Sequence, residues 1–149
     1  MNTPHGLIDQ SVSGRKNDYL FRLSLKALIV NEKGQVLVVK EAGRTWWDLP
    51  GGGMDHDESI HEAIARELFE EVSMTGEFDY RVIDIDEPLY LTKANVWQVR
   101  VILHVTPKYM HFKPGEDGEA IAFMEPATLK DSDHPAESRI HRYFLTLSS

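Results

Sequence analysis

The chain has 149 residues, of which 42% are hydrophobic and 27% are charged. This length is typical of one domain, and this composition excludes disordered and collagen-like chains. The formal net charge of −8 argues against a general nucleic-acid-binding protein, because such proteins present basic surfaces to phosphates. A phosphate-containing substrate is still compatible with this charge, because a bound divalent cation reverses the local field.

Cysteine is absent, which excludes disulfides, thiolate catalysis and zinc-thiolate sites. No segment has the composition of a signal peptide or the roughly 20 apolar residues that a membrane span needs. We therefore expect a soluble, cytoplasmic protein with no membrane partner. Residues 1–17 are polar and are expected to form a flexible N-terminal arm, and residues 18–149 are expected to form a single domain.

Apolar patterns predict several strands in the first third of the chain. Residues 19–30 alternate before becoming continuously apolar, residues 31–34 are turn formers, and residues 35–40 are a β-branched run, which together predict a hairpin. Residues 46–49 are a short strand candidate, which Pro50 ends. The three glycines that follow are expected to form a loop that brings a ligand close to the main chain, with a plain turn as the alternative.

A helix is predicted from about residue 57 to residue 73, with acidic residues in its first turn, where the helix dipole favours them. Further strand candidates and a second helix follow, at residues 80–85, 96–105 and 120–124 and at residues 137–147. This order of elements predicts an α+β fold or an α/β sandwich with a mixed sheet.

The first predicted helix carries carboxylates on its apolar face. On a helical wheel of about 100° per residue, Ile64 and Leu68 define the buried stripe. Glu71 projects into this stripe, Glu67 lies beside it, and Glu70 lies at its border. A salt-bridged, solvated helix face is the alternative, which this position on the apolar stripe disfavours.

Burying carboxylates beside one another is costly, because desolvation and repulsion both disfavour ionisation. The spacing of Glu67, Glu70 and Glu71 brings their side chains to neighbouring positions on the helix. Clustered oxygen ligands without sulfur suit hard cations such as Mg²⁺ or Mn²⁺. Glu58 and Glu62 project to the opposite side of the wheel and are expected to be ordinary solvated charges.

A known motif matches this part of the chain in both residue identity and spacing. Its matching residues are Gly52, Glu58 and the segment Arg66-Glu67-Leu68-Phe69-Glu70-Glu71. Five residues separate Gly52 from Glu58, and seven separate Glu58 from the segment. In this pattern the chain resembles the Nudix hydrolase family. Ser73 stands where the family usually has glycine, and Met74 occupies the aliphatic position that follows. This departure concerns the end of the helix and leaves the acids intact.

The resemblance covers residues 52–74 directly, and the surrounding elements are similar to the wider Nudix domain. It implies an α/β/α sandwich with a mixed β-sheet. It also implies divalent-metal-dependent hydrolysis of a nucleoside diphosphate linked to another moiety. The implied partner is thus a small-molecule nucleotide derivative, with no nucleic acid expected, and a homodimer is left open.

The same resemblance implies the roles of the motif residues. Mg²⁺ or Mn²⁺ would be held by Gly52, through its carbonyl, and by Glu67, Glu70 and Glu71. Either of the last two acids would be a ligand, the general base, or both in succession. Arg66 and Glu58 would pair and so orient the loop and the helix.

Residues outside the motif are candidates for the remaining roles. Glu116, Asp117 and Glu119 lie in a loop that contains proline and glycine, and Glu119 is the first choice for a supplementary ligand or base, with a solvated loop acid as the alternative. Arg44 is a candidate phosphate ligand, and the neighbouring Trp46 and Trp47 are candidates for stacking on a base, although tryptophan in a strand more often belongs to a core.

Two functions are compatible with these residues. The first is a Nudix pyrophosphohydrolase, whose substrate is open among nucleoside triphosphates, ADP-ribose-like sugars and dinucleoside polyphosphates. The alternative is a Nudix-fold module that binds a nucleotide metabolite without turnover. Between Asp55 and Glu71, seven acids accompany a single arginine, so most of the net negative charge lies at the predicted cation site.

Overall fold

The structure is a computed structural model that describes Ser11, Gly14 and residues 19–148. Apart from these two residues, the predicted arm over residues 1–17 lies outside the described residues. None of the helices described is long and apolar enough to cross a membrane. The strands are β1 (Phe21–Leu28), β2 (Val36–Glu41), β3 (Gly51–Gly53), β4 (Phe78–Ile85), β5 (Leu89–Leu91), β6 (Val96–Pro107) and β7 (Gly118–Met124), and the helices are α1 (Ile60–Val72) and α2 (Pro135–Leu145).

The strands form two sheets. The larger sheet has the order β3-β1-β6-β4, and β5 pairs with the beginning of β6. Strands β1 and β6 are parallel, whereas the other pairs of this sheet are antiparallel, so the predicted mixed sheet is confirmed. Strands β2 and β7 form a separate antiparallel pair.

The helices lie on opposite faces of the strand layer. Successive side chains of a strand point to opposite faces, so a strand that is buried on both faces contributes to two cores. Leu37 and Val39 of β2 pack in the cluster that contains Leu68 of α1. Val36 and Val38 of the same strand pack in the cluster that contains Ile140 of α2. This arrangement confirms the expected α/β/α sandwich.

The predicted hairpin is wrong in its pairing. The turn is present, because Gly34 donates a backbone hydrogen bond to Asn31, and a single bridge joins Val30 to Val36. Beyond this bridge the two strands separate into different sheets. The reason is that β1 has only two edges, and these are taken by β3 and β6.

The predicted short strand at residues 46–49 is also wrong. Only Asp48 bridges to another strand, at Val39. The N–H of Trp47 instead donates to the Glu137 carboxylate of α2, at 2.8 Å. The strand in this region is instead β3, formed by the three glycines that were expected to be a loop. In β3, Gly52 lies opposite Leu25 of β1.

Helix α1 ends at Val72 and is followed by the C-cap residue Ser73, in the position where the motif usually has glycine. Ser73 has φ 57° and ψ 31°, a left-handed conformation, and its N–H donates to the carbonyl of Phe69. The exit from the helix therefore keeps the geometry that glycine favours, although a side chain is present.

Replacing Ser73 with glycine is expected to raise the free energy of unfolding by about 0.5–1 kcal/mol, because it removes the strain of a left-handed non-glycine residue. Urea denaturation of the purified protein measures this change. The matched control is Thr75→Gly, two residues away, which has no positive φ to relieve and should lower the stability. Equal destabilisation by both substitutions would contradict the prediction.

Candidate metal centre and substrate cavity

Helix α1 carries the three motif acids to the edge of β3. The helix begins with a capping box, in which the Ser59 hydroxyl accepts from the Glu62 N–H and the Glu62 carboxylate accepts from the Ser59 N–H. This box satisfies backbone donors at the first turn and so fixes where the helix starts. The acids lie about two to three turns later, beside Gly51 and Gly52.

Glu71 is the most buried of the three acids. It is 3% exposed, and its Oε2 accepts a hydrogen bond from the Gly51 N–H at 2.6 Å. Burial raises the pKa of the Glu71 carboxyl to about 9, and a hydrogen bond with the Glu41 carboxyl also raises it. Lys26 and the Gly51 N–H act in the opposite direction. Burial and the neighbouring Glu41 carboxyl thus both disfavour the charged form of Glu71.

Glu67 lies directly against the main chain of β3. A β-carbon added to Gly52 would lie 2.7 Å from both carboxylate oxygens of Glu67, which is closer than a side chain can approach. Only glycine at this position leaves room for the carboxylate. Burial raises the pKa of Glu67, and the hydrogen bond from Arg66 opposes this shift.

Arg66 connects the glycine strand, the segment before the helix and the acids. Its guanidinium donates to both oxygens of Glu58, at 3.0 and 2.6 Å, to Glu67 Oε1 at 2.9 Å and to the carbonyl of Gly53 at 3.2 Å. This hydrogen bonding, together with the Asp55 N–H, lowers the pKa of Glu58 to about 2. The wheel-based expectation of a solvated Glu58 is wrong, because this residue precedes the helix and its side chain is only 14% exposed.

The loop before β7 closes the far end of the helix. The N–H groups of Gly115 and Asp117 donate to the carbonyls of Glu71 and Glu70, at 2.9 and 3.0 Å, and satisfy carbonyls that the helix end leaves open. A β-carbon on Gly115 would collide with the Glu70 carbonyl. The loop therefore needs glycine to approach the helix this closely.

These elements enclose an acidic cavity of about 430 Å³. Six carboxylate residues line it together with Ala42, Gly51 and Gly52: Glu41, Glu67, Glu70, Glu71, Glu116 and Asp117. Glu119, the supplementary acid favoured from the sequence, is exposed at the start of β7 and does not line this cavity. The neighbouring loop acids Glu116 and Asp117 do line it.

The donor chemistry of this cavity suits a hard divalent cation. All six ionisable groups that line it are carboxylates. A bound cation would offset the repulsion from Glu41 and the cost of burying a negative charge, which together raise the pKa of Glu71. Within the described part of the chain, no three Asp, Glu or His side chains already stand in a ligating arrangement. Arg66 engages Glu67, and the Gly51 N–H and Glu41 engage Glu71.

A second cavity, also of about 430 Å³, adjoins the first. Glu41, Gly51 and Gly52 line both cavities. Arg44 and Trp46, two of the predicted substrate-binding residues, lie in the wall of the second cavity. The two form a cation–π contact, with 5.5 Å between the guanidinium and the ring centroid.

The two tryptophans differ in their surroundings. Trp46 stacks on His134 of the segment before α2, with ring centroids 4.4 Å apart and an interplanar angle of 12°. Trp47 does not line the second cavity and instead packs, partly buried, against the core beneath α2. Lys40 lies over the Trp47 ring at 4.6 Å.

Glu41 is the site residue that the sequence reasoning missed. In the sequence it follows the predicted β-branched run at residues 35–40 and belongs to no motif. The available signal was its position, since it is an acid at the end of a buried β-branched strand that precedes the glycines. The contact with Glu71 depends on strand β2 lying beside α1, which no local pattern shows.

Comparisons with known proteins agree with this architecture. The family model for the NUDIX domain matches residues 20–145. The crystal structure of a MutT protein from Methanosarcina mazei Go1 has a TM-score of 0.66 at 22% identity and covers 90% of this chain and 99% of that chain. The NUDIX domain of Shewanella oneidensis NrtR, solved with ADP ribose, has a TM-score of 0.63 at 20% identity and covers 91% and 95%.

Curated relatives match a shorter segment. An RNA pyrophosphohydrolase from Shewanella frigidimarina is 42% identical over 57 residues, which are 38% of this chain and 33% of the relative. One from Pasteurella multocida is 39% identical over 67 residues, which are 45% of this chain and 33% of the relative. The matched segment spans about a third of the length of these relatives.

The sandwich and its acidic site define a class of α/β protein in which a helix presents carboxylates to a glycine strand. The chain belongs to the Nudix family, because the family model matches it over residues 20–145, which are most of the chain.

Proposed function

We propose that this protein is a divalent-metal-dependent hydrolase of the phosphoric anhydride bond in a nucleotide-type substrate. The observation that carries the proposal is the buried Glu71 carboxyl, held against Gly51 and Glu41 among six carboxylate residues. A protein that had only to fold would gain nothing from acids at this position, because burial makes each of them costly. Names of the curated relatives support a pyrophosphohydrolase activity.

The proposed cation is Mg²⁺ or Mn²⁺, with Glu67, Glu70, Glu71 and the Gly52 carbonyl as ligands. When bound, such a cation would neutralise the charge of the diphosphate and activate water for in-line attack. Arg66 would orient Glu67 through its hydrogen bond at 2.9 Å, and Glu58 would in turn hold Arg66.

We assign the proton-accepting role to Glu70. Its side chain is 39% exposed, compared with 14% for Glu67, so it is more accessible to water and substrate. Because Glu71 is almost completely buried, its role is to hold the cation. Glu119 stays a weaker candidate for a supplementary base than Glu116 and Asp117, which line the acidic cavity.

The second cavity is the proposed site for the rest of the substrate. Arg44 would contact phosphate, and Trp46, whose ring already stacks on His134, would stack on a base. We do not propose a binding role for Trp47, because it packs against the core.

Small nucleotides are favoured over RNA as substrates. The relatives named RNA pyrophosphohydrolase match only over the segment around the acidic motif, so their similarity bears on the diphosphate site rather than on what is attached to it. The net charge of −8 opposes binding of a long polyanion.

The absence of cysteine supports a cytoplasmic location.

A substrate panel tests the proposed function. It contains nucleoside triphosphates, ADP-ribose, a dinucleoside polyphosphate and an RNA oligonucleotide with a 5′-triphosphate, each assayed with Mg²⁺ for release of phosphate, pyrophosphate and mononucleotide. We expect turnover of at least one small nucleotide, abolished by EDTA. The Glu70→Gln variant should lower kcat by about 100-fold or more.

The matched control is Glu87→Gln, which removes the same charge from an exposed loop outside both cavities. Its kcat should stay within about twofold of the parent value. Undiminished turnover in Glu70→Gln would contradict the assigned role. Mg²⁺-dependent binding of panel compounds with no product from any of them would show that the protein is a binding module.

A further inference from the structure

The second cavity contains more positive than negative charge. Five of its lining residues are lysine or arginine, and two are acids. Two of the cations are paired with those acids. Lys26 Nζ lies 3.2 Å from Asp48, and Arg44 Nη1 lies 2.9 Å from Glu41. Among the described residues, the other three cations, Arg22, Arg100 and Arg139, have no ion pair with an acid of the cavity wall.

Arg100 is neutralised from outside the cavity. Its Nε donates to Asp86 at 3.1 Å, and Asp86 also accepts hydrogen bonds from Arg142 and Tyr143. Asp86 is 9% exposed, and these three donors lower its pKa although burial raises it. This carboxylate accepts three hydrogen bonds, none of them from Arg139.

Arg139 of α2 takes no part in this hydrogen-bond network. It is half-buried, and across residues 11, 14 and 19–148 no hydrogen bond or ion pair reaches its guanidinium. Arg22, the fifth cation, also lacks such a contact within the described chain, but it is exposed and water can solvate it. Burial first and Arg100 second lower the pKa of Arg139, and the nearby Tyr143, Asp48 and Asp86 oppose this shift without forming an ion pair with its guanidinium.

The beginning of α2 lies in the wall of the same cavity. His134, the N-cap residue, and Ala136, in the first turn of this 11-residue helix, line the same cavity as Arg139. The N-terminal end of a helix carries a partial positive charge and favours anions. The Ala136 N–H already donates to His134 Nδ1 at 3.1 Å, and Glu137 stands in the first turn, so the charge of Arg139 is the main attraction for an anion here.

We propose that Arg139 binds a phosphate group of the substrate, outside the acidic cavity and on the α2 side of the shared glycine strand. The planar guanidinium presents paired donors that match two phosphate oxygens, which lysine cannot reproduce. Arg139 is then a specificity-determining residue, which selects compounds with a phosphate beyond the cation-bound group. This inference rests on the proposed function for its substrate class.

Binding of inorganic phosphate tests Arg139 without any turnover. The full chain is titrated with phosphate in EDTA, and the signal is the tryptophan fluorescence, since Trp46 lines the cavity. We expect saturable binding, a Kd raised at least about 10-fold in Arg139→Gln, and an intermediate Kd in Arg139→Lys. The control Arg81→Gln removes an exposed arginine of β4 and should leave the Kd unchanged.

Thermal melting of each variant shows that it is folded. Absence of saturable binding to the parent protein, or an equal Kd in the parent and Arg139→Gln, would overturn the inference. For a substrate found by the panel, Arg139→Gln should raise KM at least about 10-fold and leave kcat within about threefold. Phosphate binding through Arg139 in a chain that hydrolyses nothing would support the inference and reject the proposed function.

Discussion

Replacing Glu71 with glutamine is expected to lower turnover strongly. The same substitution should increase the stability of the metal-free protein at alkaline pH. Turnover should fall by about 100-fold or more, because glutamine cannot supply the negative charge that holds the cation. The stability should rise because the buried charge is removed, while the glutamine amide can still donate a hydrogen bond to Glu41.

The pH dependence follows from the direction of the shift. The carboxyl of Glu71 has an ordinary pKa of 4.5 and a pKa of about 9 in the folded protein, so between these values the folded chain binds more protons than the unfolded chain. The free energy of unfolding therefore decreases as the pH rises through this window. The variant lacks this group and should lose most of that decrease, a difference on the order of 1 kcal/mol or more at pH 8.

Urea denaturation in EDTA at pH 5.5, 7 and 8.5 measures the effect. Glu62→Gln is the matched control on the same helix, because glutamine preserves the capping box and Glu62 has its pKa lowered rather than raised. Added Mg²⁺ should stabilise the parent protein but not Glu71→Gln. If Glu71→Gln loses stability at every pH, the buried carboxyl is a structural necessity and the prediction fails.

Alanine at each of the three glycines of β3 should have three different effects. Gly51 has φ 142°, and an added β-carbon would collide with the Leu25 carbonyl and lie 3.0 Å from the Lys26 Cα. Backbone atoms cannot move aside without displacing β1. We expect Gly51→Ala to cost about 3 kcal/mol or more of stability, or to prevent folding.

Gly52→Ala should instead separate activity from stability. Its β-carbon would meet the carboxylate of Glu67 at 2.7 Å, and this is the end of a flexible side chain that can swing away. The stability should change by less than about 1 kcal/mol, and activity should fall by about 10- to 100-fold because Glu67 leaves its position.

Gly53→Ala is the control within the same strand. An added β-carbon there meets nothing within 4 Å, so both stability and activity should stay near the parent values. Thermal melting and turnover of the three variants, measured together, distinguish these outcomes. Equal loss of activity in Gly52→Ala and Gly53→Ala would show that the close contact with Glu67 is unimportant.

Local spacing was enough to predict the acidic face of α1. The helix was expected over about residues 57–73 and runs from Ile60 to Val72, because the Ser59 cap sets its start. Residues three and four apart on a helix are always neighbours, whatever the rest of the fold does. For this reason the position of Glu71 on the buried face of α1 followed from the spacing, whereas a link between Gly52 and the acids was implied only by the family resemblance.

Strand pairing was predicted less well. The hairpin and the strand at residues 46–49 were inferred from turn residues and β-branched runs, which indicate an extended chain but not its partner. Pairing depends on which edges are already occupied, and here β3 and β6 occupy both edges of β1. The short strand β5 was missed because its three residues carry too little pattern.

By itself, the sequence determined the family, the helix that carries the acids, the glycine beside Glu67 and the placement of most of the negative charge. The acids lie within one helix, whose geometry converts their spacing directly into distance, and the glycine belongs to the family motif over residues 52–74. Only the tertiary structure decided that Glu41 shares a hydrogen bond with Glu71, that Gly115 closes the end of α1, and that Arg139 faces the second cavity without a partner. Each of these contacts joins elements distant in the chain, and their meeting depends on how strands and helices pack, which no local pattern encodes.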